Sequence, residues 1–316
     1  MESADTRSGR GGPRRRGPVA TGAFTARVRY NQWMTSPLVS VVWLAEHLDD
    51  PGVVVADVRW YLMGARGADA YAAGHVPGAA FVDLDAELAS PPGPGRPGRH
   101  PLPAAGQISA LLSRLGAGQG TVVVAYDDAG GGIAARLWWL LRYFGHGGGR
   151  VLDGGIQAWR AAGLPLETAV RPRPPAPPLP LTPRPEMVVD RQRVAVLARS
   201  PDAVVLDARA AERFEGRSEP VDARPGHVPG ARSAPFGENL VVPGGSFRSP
   251  EELARRYGAL GATAAGTVVA YCGSGVTACH DLLALALAGR EDALLYEGSW
   301  SDWARDPSLP AALGPA

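Results

Sequence analysis

The chain has 316 residues, 45% of them apolar, and a formal net charge of +1 at pH 7. This length and apolar content allow one large hydrophobic core or two cores of ordinary size. A net charge close to zero gives no electrostatic reason to expect a nucleic acid or membrane partner, and no apolar run is long enough to span a bilayer.

Residues 1–33 differ in composition from the rest of the chain. Arginines stand there among Gly, Ser and Pro with little to bury, so we expect a disordered Arg-rich extension. No apolar run follows the arginines, which argues against a secretory signal peptide. An organelle transit peptide is one alternative; the favoured one is a natural start at Met34, preceded by residues outside the native protein.

The remainder of the chain contains an internal duplication, because four segments of the first half recur in the same order in the second. The pairs are Val53–Arg59 with Ala203–Arg209, Gly74–Ala79 with Gly226–Ala231, Thr121–Tyr126 with Gly266–Tyr271, and Leu152–Trp159 with Tyr296–Trp303. Buried apolar runs alternate with helical patterns such as Pro37–Leu48 and Ile133–Tyr143. Each half is therefore predicted to be an α/β domain with a parallel sheet flanked by helices.

A proline-rich segment, Arg171–Pro180, separates the two halves. Its density of proline excludes helix and sheet interior and favours extended polyproline geometry. We predict a semi-rigid linker at residues 169–186, between a first domain at 34–168 and a second domain at 187–316. A proline-motif ligand for a partner protein is the alternative.

The segment Cys272–Ala278 follows the predicted strand Thr267–Tyr271 and precedes a helical pattern. A cysteine at the carboxyl end of a parallel strand lies where α/β sheets bind ligands. Gly273 and Gly275 allow successive N–H groups to converge in an anion-binding nest, and the helix N-terminus adds positive partial charge. These features favour a thiolate, so Cys272 is predicted to be a nucleophile, with a structural buried cysteine as the alternative.

The other cysteine, Cys279, is predicted to pack inside the following helix, too far from Cys272 for an unstrained disulfide. A thiolate nucleophile needs a reducing compartment, so we expect a cytoplasmic protein. The first half carries Asp127-Asp128 where the second carries Cys272-Gly273, so the first domain is predicted to lack the nucleophile. A cleft between the two domains is the expected place for a substrate.

The paired Gly-His-Val-Pro-Gly-Ala segments, the loop Cys272–Ala278 and the stretch Tyr296–Trp303 resemble the two-domain rhodanese sulfurtransferases. The resemblance covers nearly all of Met34–Ala316. It implies tandem rhodanese-like domains, the first inactive and the second catalytic, with no metal and no organic cofactor. Gly273-Ser274 resembles the 3-mercaptopyruvate branch of the family, since the thiosulfate branch typically has Arg-Lys there.

That branch pairs the loop serine with a histidine and an aspartate of the first domain. The resemblance therefore implies a relay of Ser274, His100 and Asp85, the last two from His100–Pro103 and Val82–Asp85. A solvated loop histidine and a helix-capping aspartate are the open alternatives for His100 and Asp85.

The resemblance also implies residues that bind the donor. Arg213 matches the family's carboxylate-binding arginine, and guanidinium suits bidentate carboxylate binding; a surface ion pair is the alternative. The family's second such arginine has no clean match, because Val221 lies near that position, and Arg224 is the candidate replacement. The remaining donor-binding positions are those of the cysteine loop: Gly273, Gly275, Val276 and Thr277, the last also predicted to be the helix N-cap.

The predicted function is sulfur transfer by double displacement. A small-molecule donor, 3-mercaptopyruvate, would give its sulfur to Cys272 as a persulfide, and a thiol, cyanide or thioredoxin-like acceptor would collect it. Thiosulfate as donor, and a non-catalytic sulfur-carrier or regulatory module, are the alternatives. A cysteine phosphatase is disfavoured because Ala278 stands where those enzymes need an arginine.

Overall fold

The computed structural model describes residues 36–315, and within them lie two five-stranded sheets whose strands all run parallel. Each sheet is formed by strands of one half of the sequence and is flanked by helices. The predicted α/β architecture with a duplicated parallel sheet is therefore confirmed. The predicted Arg-rich extension and Met34 lie outside the described residues.

The first sheet has the strand order β1-β5-β4-β2-β3. Its strands are β1 (Leu38–Val39), β2 (Val53–Asp57), β3 (Ala80–Phe81), β4 (Val122–Tyr126) and β5 (Gly149–Leu152). The helices of this half are α1 (Val41–Glu46), α2 (Gly67–Ala73), α3 (Leu84–Glu87), α4 (Ala105–Arg114), α5 (Ala134–Tyr143) and α6 (Gly155–Ala161). The helix predicted at Pro37–Leu48 is shorter than expected, because Leu38 and Val39 pair with β5 before Ser40 caps α1.

The second sheet repeats this topology as β6-β10-β9-β7-β8. Its strands are β6 (Val188–Val189), β7 (Ala203–Asp207), β8 (Arg232–Ser233), β9 (Thr267–Tyr271) and β10 (Leu294–Tyr296). The helices are α7 (Arg191–Leu197), α8 (Ala211–Phe214), α9 (Pro250–Ala259), α10 (Ala278–Leu287) and α11 (Ser299–Trp303). Short 3₁₀ turns occupy Pro185–Met187 and Phe236–Asn239. Within residues 36–315 no helix has the length and apolar character needed to cross a membrane.

One hydrophobic core runs through both halves, and the helices α5 and α10 pack against each other within it. These two helices are buried along almost their whole length. Each helix follows the loop at the carboxyl end of the central strand of its own sheet. Their packing therefore fixes the first half against the loop that carries Cys272.

The proline-rich segment is fastened to the first half. Residues 168–184 contain no helix or strand. Ala176 exchanges two hydrogen bonds with Ser113 of α4, and the hydroxyl of Ser109 donates to the carbonyl of Leu179 (2.9 Å). The segment is thus an extended strap along α4, held by one backbone hydrogen bond and by two serine hydroxyls that donate to its carbonyls.

Asp127 occupies the first-half position that corresponds to Cys272, and its side chain fills the loop. The residue is fully buried, and its carboxylate accepts four backbone N–H groups, those of Ala129, Gly131, Ile133 and Ala134, at 2.7–2.8 Å. The first-half loop is therefore an anion nest whose anion belongs to the protein itself.

We expect Asp127→Ala to destabilise the protein strongly, since each buried donor left unpaired costs about 1–3 kcal/mol. The loss in free energy of unfolding should reach at least about 3 kcal/mol in urea denaturation followed by circular dichroism. The matched control is Asp128→Ala, because the half-buried Asp128 carboxylate accepts only the Tyr61 hydroxyl among the hydrogen bonds described here. Equal losses for the two variants would contradict the nest.

Candidate active site

Cys272 lies at the carboxyl end of β9 and is 2% exposed. The N–H of Gly275 donates to its Sγ (3.1 Å), and the N–H of Cys272 itself donates to the hydroxyl of Ser299 (3.1 Å). An N–H group directed at the sulfur stabilises negative charge there. The loop thus presents a sulfur atom with a backbone donor already in place.

The start of α11 fixes the shape of this loop. The N–H groups of Trp300 and Ser301 donate to the carbonyls of Cys272 and Gly273, each at 2.9 Å. Gly275 has a φ of +79°, and a side-chain carbon there would lie 2.6 Å from the carbonyl oxygen of Glu297. Glycine is therefore required at position 275 by both backbone conformation and space.

A hydrogen-bonded series reaches the loop from the first half. His100 Nδ1 lies 2.7 Å from the hydroxyl of Ser274, and His100 Nε2 lies 3.0 Å from Asp85 Oδ1. When Nε2 carries the proton and donates to the carboxylate, Nδ1 is left to accept from the serine hydroxyl. The structure thus brings together the three residues predicted as a relay, which come from two different halves of the chain.

Two neighbours hold the Asp85 end of this series. The indole N–H of Trp60 donates to Asp85 Oδ2 (2.9 Å), and its ring meets the imidazole of His100 edge to face, with centroids 5.5 Å apart. The helix-capping role considered for Asp85 belongs instead to Asp83, which accepts the N–H groups of Asp85 and Ala86. The Asp85 carboxylate is therefore available to the histidine.

Burial is the main influence on the proton affinity of His100. It lowers the pKa of the imidazole from 6.5; the cations Arg136 and Arg99 lower it further, whereas the carboxylate of Asp85 raises it. The ring is therefore neutral at pH 7, and a neutral imidazole is able to accept a proton.

Arg136 of α5 is fully buried and links the relay to the cysteine loop. Its guanidinium donates to the carbonyl of Gly275 (3.1 Å) and to that of His100 (3.2 Å), with a longer bond to Leu88 (3.5 Å). A rigid fork with several donors can hold three separate backbone segments in one geometry. Sequence reasoning missed this residue because only the packing of α5 on α10 directs it towards the loop.

Arg213 lies beside the loop, as the resemblance implied. It forms ion pairs with Glu219 (2.6 Å) and Asp222 (2.9 Å), both of which are almost fully buried. A side-chain carbon at Gly273 would lie 3.6 Å from Arg213 Nη1. The guanidinium thus sits near the loop, and the surface ion pair considered for it is in fact largely buried.

Two other predicted donor-binding residues are engaged differently. The guanidinium of Arg224 donates to the carbonyls of Trp303 (3.3 Å) and Asp306 (3.0 Å), so it holds the end of α11, and its role as a carboxylate anchor stays a prediction. Thr277 is the N-cap residue of α10, as predicted, but its side chain makes no capping hydrogen bond.

The two further residues of this region are packed into the core. The side chain of Val276 is 4% exposed and belongs to the central hydrophobic cluster, so only its backbone faces the loop interior. Cys279 is fully buried, and burial raises its pKa to about 12. A thiol with such a pKa remains protonated at neutral pH and is a poor nucleophile.

Comparison with known proteins places this site in a family. The chain matches the rhodanese-like domain twice, over residues 40–162 and 190–306. It is 42% identical over 286 residues to a probable 3-mercaptopyruvate sulfurtransferase of Pseudomonas aeruginosa, which covers 89% of this chain and 99% of that protein. It is 41% identical over 271 residues to a putative thiosulfate sulfurtransferase, SseB, of Mycobacterium tuberculosis, covering 84% and 93% respectively.

A solved structure agrees with these relatives. The crystal structure of SseA from Escherichia coli, described as a 3-mercaptopyruvate sulfotransferase with the rhodanese fold, superposes with a TM-score of 0.74 at 34% identity. The match covers 84% of this chain and all of that one. The chain therefore belongs to the rhodanese family, as its sequence predicted. More narrowly, it is a two-domain sulfurtransferase enzyme.

We expect Arg136→Met to reduce sulfur transfer at least about tenfold, because three backbone carbonyls lose a shared donor and each unpaired group costs about 1–3 kcal/mol. Arg136→Lys should retain part of the activity, since it keeps the charge but not the fork. Arg142→Met on the same helix is the matched control, as Arg142 forms an exposed pair with Glu291. Initial rates and thermal unfolding are measured together; full activity in Arg136→Met would contradict the linking role.

Proposed function

We propose that this sulfurtransferase takes sulfur from 3-mercaptopyruvate, holds it as a persulfide on Cys272 and passes it to a thiol or cyanide acceptor. The observation that carries the proposal is the hydrogen-bonded series from the hydroxyl of Ser274 through His100 to Asp85. Such a series suits a donor whose thiol must lose a proton. Thiosulfate has no such proton, so its turnover would not need proton transfer through Ser274 and His100.

In the first half-reaction the Cys272 thiolate attacks the sulfur of the donor. The new S–S bond forms while the C–S bond of the donor breaks. The electron pair of the C–S bond stays on the carbon, which gives the enolate of pyruvate. The donor's thiol proton passes through the hydroxyl of Ser274 to His100 Nδ1 and then to the enolate carbon. The products are pyruvate and a Cys272 persulfide anion, so atoms and charge balance.

The loop backbone supports the charge of this intermediate. The Gly275 N–H that donates to Cys272 Sγ is a fixed donor, and fixed dipoles stabilise charge without reorganising. An acceptor thiolate or cyanide then attacks the outer sulfur and leaves Cys272 as the thiolate. A thioredoxin-like dithiol would serve as such an acceptor. This chemistry needs a reducing compartment, so we propose a cytoplasmic location.

The donor and the nucleophile are tested together. Wild type should show a higher kcat/KM with 3-mercaptopyruvate than with thiosulfate, and Cys272→Ser should transfer sulfur from neither donor, because a hydroxyl forms no persulfide. Mass spectrometry of donor-treated protein should find one added sulfur on Cys272 and none on Cys279, whose pKa is raised to about 12 by burial. Cys279→Ser is the matched control and should keep its activity.

Each failure has a distinct meaning. Faster turnover of thiosulfate by the wild type would show that thiosulfate is the preferred donor, without contradicting Cys272 as the nucleophile. A persulfide found mainly on Cys279 would overturn the assignment of Cys272. A folded protein that transfers sulfur from neither donor would favour a sulfur-carrier or regulatory role.

The relay makes turnover dependent on both donor and pH. His100→Ala should lower kcat with 3-mercaptopyruvate by about 10²–10⁴-fold, as for other general bases, and affect thiosulfate turnover less. Because burial lowers the pKa of His100 from 6.5 and only the neutral ring accepts a proton, wild-type kcat/KM should fall as the pH drops through that lowered pKa. Asp85→Asn removes the carboxylate that raises this pKa, so its acid limb should move to lower pH.

The control for this series is His47→Ala, since the His47 ring stacks on Trp43 in α1 of the first half. It should leave both donors unaffected. Equal losses with both donors in His100→Ala would assign His100 to structure and not to proton transfer.

A further inference from the structure

The proposed function calls for a second group that binds the donor carboxylate, because Arg213 stands without the partner that the resemblance implied. Val221 occupies that place in the sequence, and the guanidinium of Arg224 is engaged at the end of α11. A second cation does reach the loop, but it comes from the other half of the chain. It is Arg99, the residue before His100.

Arg99 lies directly over the cysteine loop. A side-chain carbon at Gly273 would lie 2.9 Å from Arg99 Nη2, with Arg213 Nη1 at 3.6 Å from the same point. The backbone N–H of Arg99 donates to the hydroxyl of Ser301 (3.1 Å), at the same helix start that binds the loop. Two guanidinium groups, one from each half, thus converge on one point beside Cys272.

One carboxylate, that of Asp222, bridges the two arginines, and Glu219 binds Arg213 as well. Asp222 Oδ2 accepts from Arg213 (2.9 Å), and Asp222 Oδ1 forms an ion pair with Arg99 Nη1. These pairings leave donors over: Arg99 Nε is buried and has no hydrogen-bond partner within the described residues. Asp222 therefore orients the two forks without satisfying all their N–H groups, which is the state expected of an anion site before its ligand arrives.

The absence of a side chain at Gly273 leaves space for the guanidinium of Arg99 beside the cysteine loop. Its φ is not among the positive values found in the described residues, so the backbone at position 273 would accept a side chain. The nearest atoms that such a side chain would meet are those of the two guanidinium groups. Glycine therefore leaves room here for the guanidinium of Arg99, which a side chain at this position would push aside.

We propose that Arg99 is a donor-binding residue, which together with Arg213 holds the carboxylate of the α-keto acid donor across the two domains. Each arginine supplies N–H groups to one carboxylate oxygen, so the donor's thiol is set between Cys272 and Ser274. A charge-assisted bond from each half also means that the donor is bound only when the two halves are packed together. This inference rests on 3-mercaptopyruvate being the donor.

The test compares two donors that differ in the carboxylate alone. 1-Mercaptopropan-2-one keeps the ketone and the thiol of 3-mercaptopyruvate but has no carboxylate. Arg99→Ala should raise KM for 3-mercaptopyruvate roughly 10- to 100-fold, the range expected for one charge-assisted hydrogen bond, with little change in kcat. At a pH where His100 is neutral in both proteins, the same variant should leave kcat/KM for the carboxylate-free donor unchanged, and Arg99→Lys should recover part of the lost affinity.

Two further variants separate binding from structure. Arg96→Ala, an exposed arginine of the same loop, is the matched control and should leave both KM values unchanged. Gly273→Ala should raise KM for 3-mercaptopyruvate in the wild type, because the new methyl group displaces Arg99, but should add little to Arg99→Ala. This non-additivity is the signature of two changes that act on one interaction.

The outcomes distinguish this inference from the proposed function. An unchanged KM in Arg99→Ala, with wild type active on 3-mercaptopyruvate, overturns the role of Arg99 alone. Equal losses with both donors make Arg99 a structural residue and overturn it as well. A wild type that fails to use 3-mercaptopyruvate overturns the proposed donor before Arg99 is tested.

Discussion

The packing of helix α5 against helix α10 is the contact on which the rest of the site depends. It is an apolar contact inside a core shared by both halves, and burial of this kind is strong but not directional. Direction comes from a polar group embedded in it: Arg136 leaves α5 fully buried and divides its donors between the carbonyls of Gly275 and His100. Apolar burial thus brings the halves together, and the hydrogen bonds of one guanidinium fix their relative position.

In both copies of the duplicated loop, backbone N–H groups point at one side chain, but the side chain differs. In the first half the carboxylate of Asp127 is covalently part of the nest and accepts four backbone N–H groups. In the second half the corresponding residue is Cys272, whose sulfur accepts the N–H of Gly275 and is the proposed nucleophile. A permanently filled nest is a structural element, whereas one built around a reactive sulfur serves chemistry. The first-half loop is therefore a stabilising feature, and the second-half loop is the one for which we propose a catalytic role.

Most of the fold could be predicted from the sequence because the signals for strands, turns and loops are local. The apolar strands, the repeated turns and the glycine-rich loop at Cys272 each reflect preferences within a few neighbouring residues. The relay of Ser274, His100 and Asp85 came from resemblance, since no local rule links residues so far apart. Arg99 and Arg136 were missed because their roles exist only after the two halves pack, and Trp60 because its contacts with Asp85 and His100 join distant positions of the first half. Arg224 illustrates the limit of residue type as a signal: it fitted the expected role, but its guanidinium donates to the carbonyls of Trp303 and Asp306.

The strap of residues 168–184 has a consequence for how substrates reach the sulfur. Because Ser109 and Ser113 fasten it along α4, little free chain remains between the halves. A short tether keeps the local concentration of one half around the other high and opposes wide separation. Cys272 is only 2% exposed, and with so short a tether its exposure does not depend on wide separation of the halves. A sulfur buried this deeply favours a small keto acid as donor, whereas a folded acceptor has to offer its thiol on a protruding segment.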